Sequence, residues 1–456
     1  MRIACIHIPQ YALQCATRVD PSLRGAPIAM VAGSGTGPLH APIVVACSRA
    51  AWTLGVRLGM TAAGARRISS ELAVVNVEPM LERETLRAVA DALLALTGVV
   101  DVGGRVGAGA AHLALYAEVP AKTRGNAFGE RVLERLTALG LTGRVGIADD
   151  RFTAWVAAAY GAAGQRLGDH GGNALEPGHD DVITVARGGS AAFLAPRPLS
   201  LLAIAPEVQH MLETLGVRTL GEFAALPAPS VARPLEADYQ ALARGDSGTL
   251  LRPYAPEAAL REEVVVRGGN VLDGADAIAG PTAIALVAER IALRLAGRAR
   301  GAVKLEVAVM PGDSGPVAVA GAGDRVVERA IDLAAPVAST DELVRALSPV
   351  LDAAAEAPWR LRVVVTGEAV IGEAATGEAA VESAAAPAEP ALAVIASRPD
   401  PLAVVLSTTG TLFALSSPHA AGRPSLERAH RRTRRGKQRR MRSAAVALGL
   451  FDRTGG

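Results

Sequence analysis

Met1-Arg-Ile-Ala-Cys-Ile-His-Ile-Pro-Gln10 opens the chain and decides how the rest is read. Ile3, Cys5, Ile6 and Ile8 form a short apolar run of strand length. Pro9 stops it, because proline has no backbone N–H to give to a ladder. Residues 10–18 then read as a helix. A buried strand that runs straight into a helix presents reactive side chains in many α/β proteins. The side chains at this edge are His7 and Pro9, and neither is a carboxylate.

Outward from that strand, apolar runs at 28–32, 43–47, 72–77, 99–102, 112–116 and 143–148 read as strands. Residues 49–54, 61–68, 81–96, 129–139 and 152–160 have helical periodicity, with Ser48 and Thr61 as N-caps and Gly55 as a stop. The interleaving fits an α/β or α+β first domain. Gly33-Ser-Gly-Thr-Gly37 has no Lys-Ser/Thr after it, so it reads as a hairpin and not as a phosphate-binding loop. Residues 161–181 read as a loop, and 206–244 as three short helices separated by Gly216, Pro227 and Pro229. A second α+β pattern follows: strand 263–267, helix 275–298, strand 303–310, a strand near 324–330, helix 340–356 and strand 361–366. Residues 368–392 are nearly all Ala, Glu, Gly and Pro, a low-complexity linker. A small hydrophobic segment, 391–416, comes next.

With 456 residues, half of them apolar, the chain has room for about three domains. No apolar run reaches the length of a membrane span, and no signal peptide is read. Three cysteines without a CxxC suggest reduced thiols in a cytoplasmic protein. The net charge is +2, but residues 423–456 hold eleven Arg or Lys against two acids, so the rest of the chain sums to −7. A basic tail on a mildly acidic body points to an anionic partner for the tail.

Five stretches carry a resemblance: Pro21-Ser-Leu-Arg-Gly-Ala-Pro-Ile28, 44–60, Arg144-Val-Gly-Ile-Ala148, Phe193-Leu-Ala-Pro-Arg-Pro-Leu199 and Leu215-Gly-Val-Arg-Thr-Leu-Gly-Glu-Phe223. In this order they resemble the Y-family DNA polymerases, most closely the degenerate bacterial branch called ImuB. The resemblance implies an α/β and α+β multidomain protein. Its parts would be a palm and fingers (1–190), a small helical thumb (191–250) and an α+β little finger (262–370). The linker (371–392), a small C-terminal segment (393–422) and a flexible basic tail (423–456) would follow.

Active members hold two metal ions with carboxylates. The register set by Pro21-Ser-Leu-Arg-Gly25 puts His7 and Pro9 where the first strand normally carries aspartates. The family's consecutive Asp-Glu belongs on the hairpin near 103–112, which holds no acid. The positions that usually grip the triphosphate are Arg49, Trp52 and Trp155, and the two tryptophans cannot replace cations. The glycine-rich thumb hairpin is replaced around Ala205-Pro-Glu-Val208. The resemblance therefore implies a non-catalytic scaffold for mutagenic translesion synthesis with no cofactor and no bound metal. Its implied partners are DNA, the sliding clamp, an error-prone C-family polymerase and the RecA-like accessory protein ImuA. The alternative is an active lesion-bypass polymerase using displaced acids: Asp101, Glu118, Asp149 or Asp150. Helix capping is the simpler role for Asp149-Asp150.

Two tail features suit such a scaffold. The tract Arg431, Arg432, Arg434, Arg435, Lys437, Arg439, Arg440 and Arg442 reads as a non-specific DNA-binding element. Ala447-Leu-Gly-Leu-Phe451 is similar to the clamp-binding motif Gln-Leu-x-Leu-Phe, with Leu448, Leu450 and Phe451 as anchors and Ala447 in place of Gln. Cys5 and His7 share a strand face, and Cys47 is expected on a neighbouring strand. Three ligands make a weak zinc site, and packed thiols are the better reading.

Overall fold

The computed structural model describes residues 1–33, 41–103, 112–161, 181–202, 204–227, 234–247, 250–257, 259–266, 280–311, 327–353 and 359–371. The opening stretch forms β1 (Ile3–Pro9), buried along its whole length. It is the middle strand of a five-stranded sheet. With β5 (Val100–Asp101), β6 (His112–Glu118), β7 (Arg144–Ala148) and β8 (Val182–Thr184), the order is β5-β6-β1-β7-β8. β1 is antiparallel to β6 and β7, and β7 is parallel to β8.

Side chains alternate across a strand, so β1 divides two cores. Ala4, Ile6 and Ile8 face α4 (Pro79–Leu94) and α5 (Gly125–Ala138), in one core with Val89, Leu93, Phe128 and Val132. Ile3 and Cys5 face α6 (Arg151–Tyr160), in a second core with Tyr116, Phe152 and Trp155. Helix α6 lies so close to β7 that a Cβ on Gly146 would fall 2.1 Å from the Ala154 carbonyl oxygen. Only glycine fits there.

The chain turns from β1 into α1 (Tyr11–Val19) through Gln10, whose φ of 47° is left-handed. Gln10 thus stands outside the helix that sequence periodicity gave it. Pro9 still pairs in the ladder, opposite His112, and strand and helix are separated by this one residue. Next come β2 (Ile28–Ala32), β3 (Ile43–Cys47), α2 (Arg49–Thr53), α3 (Ala62–Arg66) and β4 (Ala73–Asn76). They form a separate three-stranded sheet, β3-β2-β4, with its own small core. Ser48 and Thr61 cap α2 and α3 as expected.

After β8, a strand of three residues that the sequence did not announce, come α7 (Ser190–Leu194), α8 (Pro206–Thr214), α9 (Leu220–Ala224) and α10 (Pro234–Ala243). Thr219 and Glu222 close a capping box on α9. Leu194, Leu199, Leu212, Leu220 and Phe223 join the α6 core, so this helical module is packed onto the sheet.

The last described unit is a four-stranded antiparallel sheet, β11-β10-β12-β9. Its strands are β9 (Leu260–Val266), β10 (Arg300–Pro311), β11 (Val327–Val337) and β12 (Trp359–Val370). Its core includes α11 (Gly280–Arg298) and α12 (Thr340–Leu347). The helix expected over 340–356 stops at Leu347 and continues as a 3-10 turn, where Pro349 has no N–H for an α-helical bond. Residues 275–279 of the expected helix lie outside the described residues. So do most of 161–181, the linker, the 393–422 segment and the basic tail. Among the described residues no helix is long and apolar enough to cross a membrane.

Candidate functional site

His7 is buried, on the α6 side of β1, opposite Ala114 on β6 and Arg144 on β7. Pro9 is buried too. Cys5, two residues back on the same face, lies opposite Tyr116, and burial pushes its thiol well up, against the pull of Arg151 and Tyr116. Asp101, on the short strand β5, also lies opposite Tyr116.

Arg151, the first residue of α6, is buried and places its Nη1 3.3 Å from Asp101 Oδ2. The same guanidinium lies over the Tyr116 ring, 4.2 Å from its centroid. Asp101 is engaged on both oxygens: Oδ1 accepts the Gly103 N–H at 2.8 Å and Oδ2 accepts the Arg252 N–H at 2.9 Å. A carboxylate held by an ion pair and two backbone donors has little left for a divalent cation.

The other three acids have partners or lie elsewhere. Asp150 caps α6, accepting the Thr153 N–H at 2.9 Å, and burial raises its pKa. Asp149 pairs with Arg2 at 3.1 Å and accepts the Gly188 N–H at 2.7 Å. Burial alone would raise its pKa, but these partners hold it below the usual value. Glu118 is opposite Ile3, four residues along β1 from His7. Among the described residues no group of three His, Cys, Asp or Glu side chains is placed to hold a metal ion.

Cys5, His7 and Cys47, the three side chains of the disfavoured zinc reading, are not brought together. Cys47 is on β3 of the three-stranded sheet, not on a strand beside β1, because the chain leaves the first sheet after α1. The three triphosphate-grip positions also part company. Arg49 is exposed on α2. Trp52, one helical turn on, is half-buried with the Arg57 guanidinium over its ring at 3.9 Å. Trp155 belongs to the α6 core, with ring centroids of Phe152 and Tyr160 at 5.9 and 5.8 Å. The anchors Leu448, Leu450 and Phe451 and the tract from Arg431 to Arg442 lie outside the described residues.

A second buried ionic cluster joins the two sheet systems. Arg18 of α1 pairs with Glu262 of β9. Arg294 of α11 reaches Glu262 at 3.0 Å and Asp91 of α4 at 2.9 Å. Arg298 adds Asp91 at 2.9 Å and Glu368 at 2.6 Å. Burial would raise the pKa of Glu262, but Arg18, Arg294 and Arg290 outweigh it and hold the carboxyl below the usual range. Arg290 has the opposite balance: burial, with Arg18 beside it, lowers its pKa to about 9. Here α11 crosses α4 at close range, since a Cβ on Gly297 would sit 1.8 Å from the Asp91 carbonyl oxygen. Tyr254, from the connecting segment, donates its N–H to Val100 and its hydroxyl to Asp91 at 3.1 Å. Sequence reasoning missed every member of this cluster; the only local signal was a run of arginines at 290, 294 and 298 on one face of a helix.

Residues 6–159 match the IMS family, described as impB/mucB/samB. The matched stretch runs from β1 to α6 and is about a third of the chain. No curated protein matches the chain. Among solved structures it is similar to a Y-family DNA polymerase chimera of Dbh and Dpo4, at 13% identity and a TM-score of 0.44, over 80% of this chain and 98% of that one. It is also similar to DinB from Sulfolobus solfataricus, at 14% identity and a TM-score of 0.41, over 81% of this chain and all of that one. An insertion ternary complex of Dbh DNA polymerase is similar at 13% identity and a TM-score of 0.43, with the same coverage.

Proposed function

We propose that this protein is a non-catalytic, polymerase-like scaffold for DNA damage tolerance, which binds DNA and the sliding clamp and recruits an error-prone polymerase. One observation carries the reading. At the strand edge where the family's chemistry needs carboxylates stand His7 and Pro9, and Asp101, an acid of the same sheet, is tied to Arg151. In this reading the five-stranded sheet and the small β2–β4 sheet act as palm and fingers, the α7–α10 module as thumb and the last sheet as little finger.

A cation that is part of the protein does in the palm what a bound metal would otherwise do, neutralising Asp101, and it cannot activate a primer hydroxyl. The binding work falls to the tail, where the arginine tract would contact phosphates and Leu448, Leu450 and Phe451 would seat in a clamp cleft. The ImuA-type and C-family polymerase partners belong to the same proposal.

The tail is tested by clamp binding. Changing Leu450 and Phe451 to Ala is expected to lower clamp affinity at least tenfold, and unchanged affinity discards the motif. Partners captured from cells after DNA damage should include the clamp and a replicative-type polymerase; their absence counts against recruitment.

A further inference from the structure

From Ala41 to Ser70 the chain carries four arginines and no acid. All four, Arg49, Arg57, Arg66 and Arg67, are exposed. The stretch holds β3, α2 and α3 and therefore makes up most of the small three-stranded unit. In a body that sums to −7 without the tail, this is a local reversal of charge.

The same stretch holds Trp52, the one tryptophan that keeps part of its surface in solvent. Trp155 and Trp359 are buried, at 5% and 8% exposure. The Arg57 guanidinium is fixed over the Trp52 ring by hydrogen bonds from Nη1 to the carbonyls of Trp52 and Val56 at 2.7 and 2.9 Å. Arg49 precedes Trp52 by three residues on α2 and so shares its side of the helix. Ile43, Leu54 and Leu58 expose apolar surface nearby in the chain, at 43%, 45% and 36%. Gly59, next to Leu58, donates its N–H to Val44, next to Ile43, so these two apolar residues lie on adjoining backbone.

An aromatic ring stacked with a guanidinium, in a stretch with three more exposed arginines and no acid, suits a ligand with both π-faces and phosphates. Duplex DNA offers the phosphates but hides its base faces in the stack. We propose that this surface binds single-stranded DNA, with an unpaired base stacked on the Trp52–Arg57 pair and the flanking phosphates met by Arg49, Arg66 and Arg67. The inference rests on the DNA-binding reading above. It differs in its site, since residues 423–442 contain no Phe, Trp or Tyr, and in its ligand, an unpaired strand and not a nucleoside triphosphate.

The distribution of tryptophans makes the test specific. A short oligothymidylate titrated into the full-length protein should quench tryptophan emission saturably, and a duplex of the same length should quench it less. Trp52→Phe keeps a stacking face and should abolish the quench while leaving affinity, read by anisotropy of a labelled strand, within about twofold. Trp52→Ala should weaken the strand by about tenfold, the effect of losing one stacked base. Changing Arg66 and Arg67 together to Ala should flatten the salt dependence by about two phosphate contacts. A quench that survives Trp52→Phe overturns the proposal, since it would come from Trp155 or Trp359. Anisotropy that reports binding without any quench also overturns it but leaves DNA binding by the tail intact. Absence of binding in both readouts removes the DNA reading as well.

Discussion

Two buried carboxylate clusters in this molecule have opposite uses. Asp101 and Arg151 lie within one sheet system, on the face of β1 that carries His7. Asp91, Glu262 and Glu368 meet Arg18, Arg294 and Arg298 across two sheet systems. In the first cluster a guanidinium is buried between a carboxylate and an aromatic ring on one face of the sheet. In the second, the ions hold the last sheet against the back of the first, on the α4 side of β1. The contrast teaches that buried acids serve packing within one sheet system in the first cluster and docking between two in the second. A buried ion pair adds little net stability over a well-packed apolar one, but removing one partner leaves a charge in a low-dielectric interior.

That asymmetry ranks the expected effects. Arg294→Leu leaves Asp91 and Glu262 short of a cation and should lower stability by about 3–5 kcal/mol in a denaturant titration. Asp101→Ala should cost about 3 kcal/mol, at the low end of that range, because Arg151 keeps the Tyr116 face. Gly297→Ala forces α11 away from α4 and should cost about 1–3 kcal/mol, with faster proteolysis of the 250–257 segment. Asp150→Ala removes one cap, for a loss of about 1 kcal/mol.

The pH dependence separates the clusters further. The Glu262 carboxyl titrates below its ordinary value of 4.5 in the folded protein. Its contribution is therefore complete above that value and is lost as the pH falls through the lower, folded one. A melting temperature followed downward from neutral pH should drop in that acid window, and Glu262→Gln should flatten the drop. An equally steep drop in the variant would assign the acid sensitivity to other carboxylates.

Much of the fold was legible because its signals are local. The run Ile3 to Ile8, the Ser48 and Thr61 caps, and the alternation in β10 and β12 are decided by neighbours in sequence. The clusters were not legible. Arg18 and Glu262 are 244 positions apart, and Arg294 and Asp91 are 203 apart. No periodicity encodes such pairings. Strand β8 was missed because three residues after a long glycine-rich stretch carry no pattern of their own, and pairing with β7 alone makes them a strand. The left-handed Gln10 was missed because a non-glycine residue in that conformation has no sequence signature.

The central claim is that the polymerase-like sheet has lost its metal chemistry. Primer extension by the purified full-length protein, with Mg²⁺ or Mn²⁺ and all four deoxynucleotides, tests it directly. The account predicts no incorporation above that of a mock purification, for the wild type and for Asp101→Ala alike. Metal-dependent incorporation that is present in the wild type and lost in a folded Asp101→Ala protein would contradict it and establish a rearranged site; incorporation that survives the change and follows the folded protein through purification would contradict it as well.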